Sequence, residues 1–389
     1  MSRPETRGLS RRAAAIQPSP IRTMTVECAR VGGVNLAQGV CDTPAPPQVR
    51  DAAVQAIQAG ENAYSRYDGR DELRRALAGK MRRDNGLEYD PETEVIVTVG
   101  ATGAFYIAAL GLLEAGDEVV LFEPYYGYHV NTLVSLDVTP VYVPLEPPDW
   151  SVSMERLEAA ITPRTRAVVL NTPANPSGKV FTLQETEQIA RVVRDHDLFL
   201  FTDEVYEHFV FDGREHVSPA ALPGMRERTL TMNALSKTFS ITGWRLGWLA
   251  ADRRWASELG PLNDLVYVCP PTPLQLGAAR ALEELPPAYY ANIGPEYQRK
   301  RDQLCTALDK AGLPAWLPEG SYFALADISR LPGDTGEARA LHLLADAGIA
   351  VVPGEAFFAG DEGHAIARFC FGKTQEDLDE ACRRLERLG

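Results

Sequence analysis

Residues 94–124, EVIVTVGATGAFYIAALGLLEAGDEVVLFEP, read as a strand, a helix and a second strand. The runs EVIVTV and EVVLFE are apolar on both faces, the pattern of strands buried within a parallel sheet. The intervening GATGAFYIAALGLLEAG carries helix-forming residues after a small-residue turn. The same alternation continues outward. RAVVLNTP (166–173), LFLFTDE (198–204), TLTMNAL (229–235) and WRLGWLAA (244–251) read as strands. SMERLEAAI (153–161) and LQETEQIARVVRDHD (183–197) read as helices, the second capped by Thr182. The expectation is an α/β fold with a mainly parallel central sheet flanked by helices.

The last third has a different grain. PEYQRKRDQLCTALDKAG (295–312) and TQEDLDEACRRLERLG (374–389) read as helices, with SYFALADI, GIAVVPG and IARFCFG as short strands between them. This predicts a smaller α+β domain over 286–389, after a large domain over 46–285. Residues 1–45 are expected to form an N-terminal arm that contributes to the small domain.

Composition narrows the function. Of 389 residues, 45% are hydrophobic and 24% charged, with a net charge of −14, a balance that argues against a nucleic-acid partner. No run approaches the roughly 18 apolar residues of a membrane span. The Arg- and Ser-rich start lacks the apolar centre of a secretion signal. Six scattered cysteines without a CxxC pair read as reduced thiols, and a cytoplasmic location is expected. Six histidines form no metal-binding pattern, so no metal is expected.

In open α/β sheets, ligands bind at the carboxyl ends of strands. GATGA (100–104) there can cradle an anion with backbone amides at a helix start, or be only a tight turn. Tyr125, Tyr126 and Tyr128 follow the next strand and can stack on a flat ring or lie at a surface. Asn175 lies in an Asn-Pro turn. Asp203 closes a buried strand, where a carboxylate needs a partner or serves as a helix cap. Tyr206 follows three residues on. Lys237 follows the strand 229–235 in a chain with only six lysines against thirty-three arginines, and burial there would favour its nucleophilic neutral amine.

NTPANPSGKV (171–180) and SKTFSITGWRLGW (236–248) together carry a specific resemblance. With them the chain, from LAQGVCDTPAP to IARFCFG, resembles the class I/II aminotransferases of the pyridoxal-phosphate-dependent fold type I. It looks closest to the branch of kynurenine and glutamine aminotransferases. The resemblance implies a transaminase that moves an amino group from an L-amino acid to a 2-oxo acid by a ping-pong cycle, with pyridoxal 5'-phosphate as cofactor. Lys237 would carry the aldimine and shuttle the proton. Asp203 would pair with the pyridinium nitrogen, and Tyr206 and Asn175 would hydrogen-bond the phenolic oxygen. Tyr125 would stack on the ring. Ala101, Thr102 and Arg245 would hold the phosphate. Arg368 would grip the substrate α-carboxylate, with Gly39 leaving it room. Tyr64 would reach the phosphate of a neighbouring subunit, implying a homodimer.

The chain departs from the family pattern at Ala234, where a phosphate-binding serine often stands. Ser236 would point elsewhere if its segment is extended. The tyrosines of EPYYGYHV and Tyr267 suggest aromatic or medium apolar substrates. Asp264, if it faces the site, would instead attract a cationic side chain; in another register it is a solvated helix residue. Other chemistry on the same cofactor, as in a β-lyase, oxidase or decarboxylase, is the main alternative. A transcription regulator lacks a DNA-binding module here, and a nicotinamide dehydrogenase lacks its glycine fingerprint.

Overall fold

The computed structural model describes residues 8–16 and 18–388. Among the described residues the strands are β1 (Val34–Asn35), β2 (Val95–Val99), β3 (Glu118–Glu123), β4 (Thr139–Pro144), β5 (Thr165–Asn171), β6 (Phe199–Asp203), β7 (Thr229–Ala234), β8 (Leu246–Ala250), β9 (Ala315–Trp316), β10 (Phe323–Asp327), β11 (Ile349–Ala350), β12 (Val352–Pro353) and β13 (Ile366–Cys370). Seven form the central sheet in the order β2-β8-β7-β6-β5-β3-β4. β8 runs antiparallel to both neighbours, and every other pair is parallel. Residues of β3, β5, β6 and β7 are buried on both faces because helices cover both sides, which is why their sequences are apolar runs without alternation.

β4 is absent from the sequence expectation. It is an edge strand whose residues are mostly half-buried or exposed, so it lacks the apolar run that marks its neighbours. The helix Leu183–Asp195 begins with the expected Thr182 cap, completed by Glu185 into a reciprocal capping box.

A second sheet, β12-β13-β10-β9, is antiparallel and carries the C-terminal third. The long helix Pro287–Lys310 and the helix Gln375–Leu385 pack against each other beside it. β1 pairs in parallel with β11, so the N-terminal segment is knitted into this lobe. The Pro- and Ser-rich stretch expected as an arm is helical over Pro20–Val31, with Met24 and Cys28 buried in the core shared with the C-terminal strands. Residues 1–7 and 17 of that stretch lie outside the described residues. No described helix is long and apolar enough to cross a membrane.

Candidate active site

The carboxyl ends of β2, β3, β5, β6 and β7 converge on one cavity of about 110 Å³. Ala101, Thr102, Asn175, Asp203, Tyr206, Lys237 and Arg245 all line it. It adjoins an outer cavity of about 310 Å³ that shares Tyr126, Asn175, Tyr206 and Lys237 and adds Gly39 and Arg368. The two cavities form one cleft between the central sheet and the smaller one.

At one end the helix Gly100–Leu112 starts directly from β2 and points its free amides inward. Two glycines allow this. Gly100 has φ +72, and a Cβ there would sit 2.3 Å from an Arg245 nitrogen; a Cβ on Gly247 would sit 2.4 Å from the Gly100 carbonyl carbon. Arg245 itself has φ 56, an uncommon conformation for a residue with a side chain, and donates to Thr102 Oγ1 at 3.2 Å and to the Thr242 carbonyl at 3.0 Å.

Ser236 corrects one expectation. Leu235–Thr238 is a helical turn, not an extended segment, so Ser236 lines the cavity wall. Its Oγ is buried and has no hydrogen-bond partner among the described residues. It lines the same cavity as Arg245, Ala101, Thr102 and Ala234, where the family's serine of position 234 would have been sought.

At the other end Asp203, only 6% exposed, closes β6. Its Oδ2 meets His129 Nε2 at 3.0 Å, and the imidazole stacks on Phe105 at 4.4 Å. His129 was not expected from the sequence; it lies one turn into the helix Gly127–Ser135, five residues past the strand that pointed to the tyrosines. Asn171 ties the floor together, donating to the Asp203 carbonyl at 3.0 Å and accepting from the Asn175 amide at 2.8 Å.

Tyr125 is a second correction. It lines neither part of the cleft; Tyr126 lines both. The Tyr125 amide is held by the Phe357 carbonyl at 2.9 Å, and its ring stacks on Tyr142 of β4 at 4.9 Å. The unforeseen edge strand thus draws Tyr125 outward and leaves the inner face to the next residue.

Lys237 stands between the two cavities. Its Nζ donates to the Gly39 carbonyl at 3.1 Å, which also accepts from the Tyr322 hydroxyl at 3.1 Å. Burial, joined by the positive charges of Arg245 and Arg368, holds its pKa below that of a free lysine. Burial likewise lifts the Tyr206 phenol well above its usual value.

Arg368 on β13 is 1% exposed. It donates to Asn175 Oδ1 at 2.9 Å and to the Ala37 carbonyl at 2.7 Å, and lies 4.1 Å from the Phe323 ring centroid. A Cβ on Gly39 would sit 2.6 Å from Phe323 Cζ, so only glycine fits there. Among the described residues, Lys237, Arg245 and Arg368 bond only to neutral oxygens and none is ion-paired. Holding one buried and two half-buried cations together without an anion is costly unless a ligand supplies the negative charge.

Two expected positions lie apart. Tyr64 is 84% exposed and touches neither cavity. Asp264 is exposed near the end of the helix Arg253–Tyr267 and lines neither cavity.

Behind the segment 203–207 lies a second polar region. Glu204 accepts from Thr202 Oγ1 at 2.7 Å and Ser218 Oγ at 3.1 Å and meets His216 at 2.8 Å. Glu207 is paired with buried Lys80 and accepts from Asn85 at 2.8 Å and Asn233 at 2.7 Å.

The cleft suits a phosphorylated pyridine aldehyde. The orphaned Ser236 hydroxyl, the helix start and Arg245 await a dianion, Lys237 offers an amine, and Asp203 faces the place of a cationic ring nitrogen.

The comparisons with known proteins agree. The family model for aminotransferase class I and II matches residues 31–385. A protein of Mycobacterium tuberculosis named probable N-succinyldiaminopimelate aminotransferase DapC is 37% identical over 376 residues, covering 94% of each chain. The kynurenine–oxoglutarate transaminase 1 of Rattus norvegicus is 35% identical, covering 91% of this chain and 92% of the relative. The solved structure of the N-succinyldiaminopimelate aminotransferase from Mycobacterium tuberculosis superposes with a TM-score of 0.95 at 36% identity, covering 98% of this chain and all of that one. On its sequence, its fold and the residues of its cleft, this chain belongs to the class I and II aminotransferases, enzymes that use pyridoxal 5'-phosphate to transfer an amino group from an amino acid to a 2-oxo acid.

Proposed function

We propose that the cleft between the two sheets is where this transfer takes place, with Lys237 as its central group. The observation that carries the reading is the meeting of Lys237, Arg245 and Arg368, each without a carboxylate partner among the described residues, around cavities that also hold Asp203 and Tyr206.

In this reading Ala101, Thr102, Ser236 and Arg245 hold the cofactor phosphate, and Asp203, fixed by His129, keeps the ring nitrogen protonated. Tyr206 and Asn175 donate to the ring oxygen, and Tyr126, rather than Tyr125, packs on the ring. When bound, the cofactor supplies the aldehyde that Lys237 and the substrate amine contest and the ring that accepts the electrons left on Cα. Lys237 Nζ, held toward its neutral form by burial, takes the proton from the substrate Cα. Arg368 fixes the α-carboxylate through its guanidinium, already oriented by Asn175 and the Ala37 carbonyl. Phe323 and Tyr322 wall off water beside Gly39.

Mixing the purified holoenzyme with an amino acid and no oxo acid tests the reading. The cofactor's absorption should convert to that of the amine form with one equivalent of oxo acid released, and hydride reduction should label residue 237. Release of pyruvate and ammonia from a β-substituted donor without an acceptor would place the enzyme among the lyases instead.

We further infer a homodimer. Tyr64 is exposed on a segment that packs along the helix Arg253–Tyr267, whose end also exposes Leu265 and Val266. In a dimer these surfaces meet and Tyr64 enters the neighbouring phosphate site. Mixing inactive Lys237→Ala with Tyr64→Phe subunits, and measuring the activity of the hybrid, tests the shared site. A cytoplasmic location and a division of the chain near residues 45 and 285 complete the proposal; the six unpaired cysteines and the separation of the seven-stranded sheet from the four-stranded one support them.

A further inference from the structure

The Gly39 carbonyl accepts two hydrogen bonds, from Lys237 Nζ and from the Tyr322 hydroxyl, each at 3.1 Å. A carbonyl oxygen offers two lone pairs, so these donors fill it. No other donor reaches it among the described residues.

The two donors differ in freedom. Tyr322 is fully buried and immediately precedes β10. Its ring stands edge-on to Tyr206 at 5.1 Å and to Phe209 at 5.7 Å, and tilts on Phe323 at 4.7 Å. Its backbone carbonyl accepts from the Phe371 amide at 3.0 Å. The hydroxyl therefore has one direction in which to point. Burial lifts the phenol well above its ordinary value, so it stays an O–H donor. Lys237 instead carries its amine on a flexible stem, with Nζ 5.5 Å from the centre of the Tyr322 ring and 5.9 Å from that of Tyr206.

The acceptor is as fixed as Tyr322. The Leu36 carbonyl accepts from the Cys370 amide at 2.9 Å, the Asp42 amide donates to the Gly372 carbonyl at 3.1 Å, and Arg368 holds the Ala37 carbonyl. Phe323 closes the space beside the Gly39 Cα. The carbonyl cannot swing to a new partner when one donor leaves. In the function proposed above, one donor does leave. Lys237 departs to bond the aldehyde carbon, with loss of water, and is freed again when the substrate amine takes its place. With Lys237 as sole donor, each departure would leave the carbonyl unmet, at a cost.

We propose that Tyr322 is a positioning residue for this exchange: its hydroxyl keeps the Gly39 carbonyl bonded and aimed while Lys237 is away, which eases each departure and fixes the place of return. The proposal rests on Lys237 being the group that engages the cofactor. Tyr322 lines neither cavity, so its hydroxyl acts through the carbonyl and not on the substrate.

The test is calorimetry on cofactor-free protein, titrated with pyridoxal 5'-phosphate and, separately, with pyridoxamine 5'-phosphate. Lys237 leaves the carbonyl for the aldehyde but has no bond to make with the amine. Tyr322→Phe removes one oxygen atom and keeps the ring. It should lower the aldehyde-to-amine affinity ratio by about threefold to thirtyfold. In a Lys237→Ala background neither compound draws a lysine away, and the same substitution should leave the ratio unchanged. A merely structural role would lower Tm in both backgrounds and move neither ratio. A fall of less than threefold with Lys237 present, or an equal fall with Lys237→Ala, would overturn the assignment. If hydride reduction of the wild-type holoenzyme fails to label residue 237, it is the proposed function that fails; if the label is there and the ratio does not move, only Tyr322 is misassigned.

Discussion

On one side of the segment 203–207 stand Lys237, Arg245, Arg368 and the Ser236 hydroxyl, buried or half-buried and facing open space. On the other side stand Glu204 and Glu207, both buried, each wrapped by three side-chain partners. The two carboxylates of the second region complete their hydrogen bonds within the chain, with only the far nitrogen of His216 left without a partner among the described residues, whereas the charged groups of the first do not meet an opposite charge. A scaffold closes its polar networks, because an unmet buried group costs about 1–3 kcal/mol or more. A binding site leaves them open in one direction. The contrast separates function from framework without reference to residue type: a lysine sits in each region, Lys237 open and Lys80 closed by Glu207.

The comparison breaks or sharpens under substitution. The largest effect belongs to the front. Lys237→Ala should keep the circular dichroism spectrum and lose at least about a thousandfold in turnover, since one group serves as imine partner and proton carrier. Near-wild-type rates would remove Lys237 from the mechanism. Next comes the back: Glu207→Ala should cost about 3–5 kcal/mol in denaturant unfolding, because it strands Lys80 in the interior. A loss below about 1 kcal/mol would mean that the network is not a structural anchor. Arg368→Met should invert that pattern, raising KM about 10–100-fold with a smaller change in kcat, while Tm holds or rises as an unpaired buried charge disappears. Ser236→Ala should weaken cofactor retention on dialysis by about 1.5–3 kcal/mol and leave the cofactor-free Tm unchanged.

The smallest effect is a slope. Burial pushes His208 down to about 4 despite the adjacent Glu207, so the fold keeps it neutral. An unfolded histidine titrates near 6.5, so between roughly pH 4 and 6.5 the unfolded chain binds the extra proton, and stability rises with pH across that window. His208→Asn should flatten this rise in urea midpoints. Glu207 works lower: burial alone would raise it, but Lys80 and the nearby histidines outweigh burial and hold it well below the carboxylate range. Its contribution is complete above about pH 4.3 and fades only in stronger acid.

The central sheet is legible in the sequence wherever strands are apolar on both faces, and β4 is lost because an edge strand needs no such run. Lys237, Asp203, Asn175 and Arg245 are legible because strand ends and two specific motifs mark them; Arg368 is legible only through the family resemblance. His129 and Ser236 are not, because what singles them out is an orientation: an imidazole turned onto Asp203 from a helix, a hydroxyl turned inward by one helical turn. Tyr125 and Tyr126 cannot be told apart without knowing that Tyr142 lies alongside.

The pairing of β1 with β11 has a consequence for biosynthesis. Arg368 grips the Ala37 carbonyl across 331 positions of chain. At roughly 5–20 residues per second, a ribosome takes about 15–60 s to bridge that interval. Throughout it, the helix Pro20–Val31 has no lobe to rest on, so Met24 and Cys28 stay wet until translation is nearly over. A truncated product ending before residue 349 therefore carries a sticky leading end and no working cleft, a ready mark for the cell's degradation machinery.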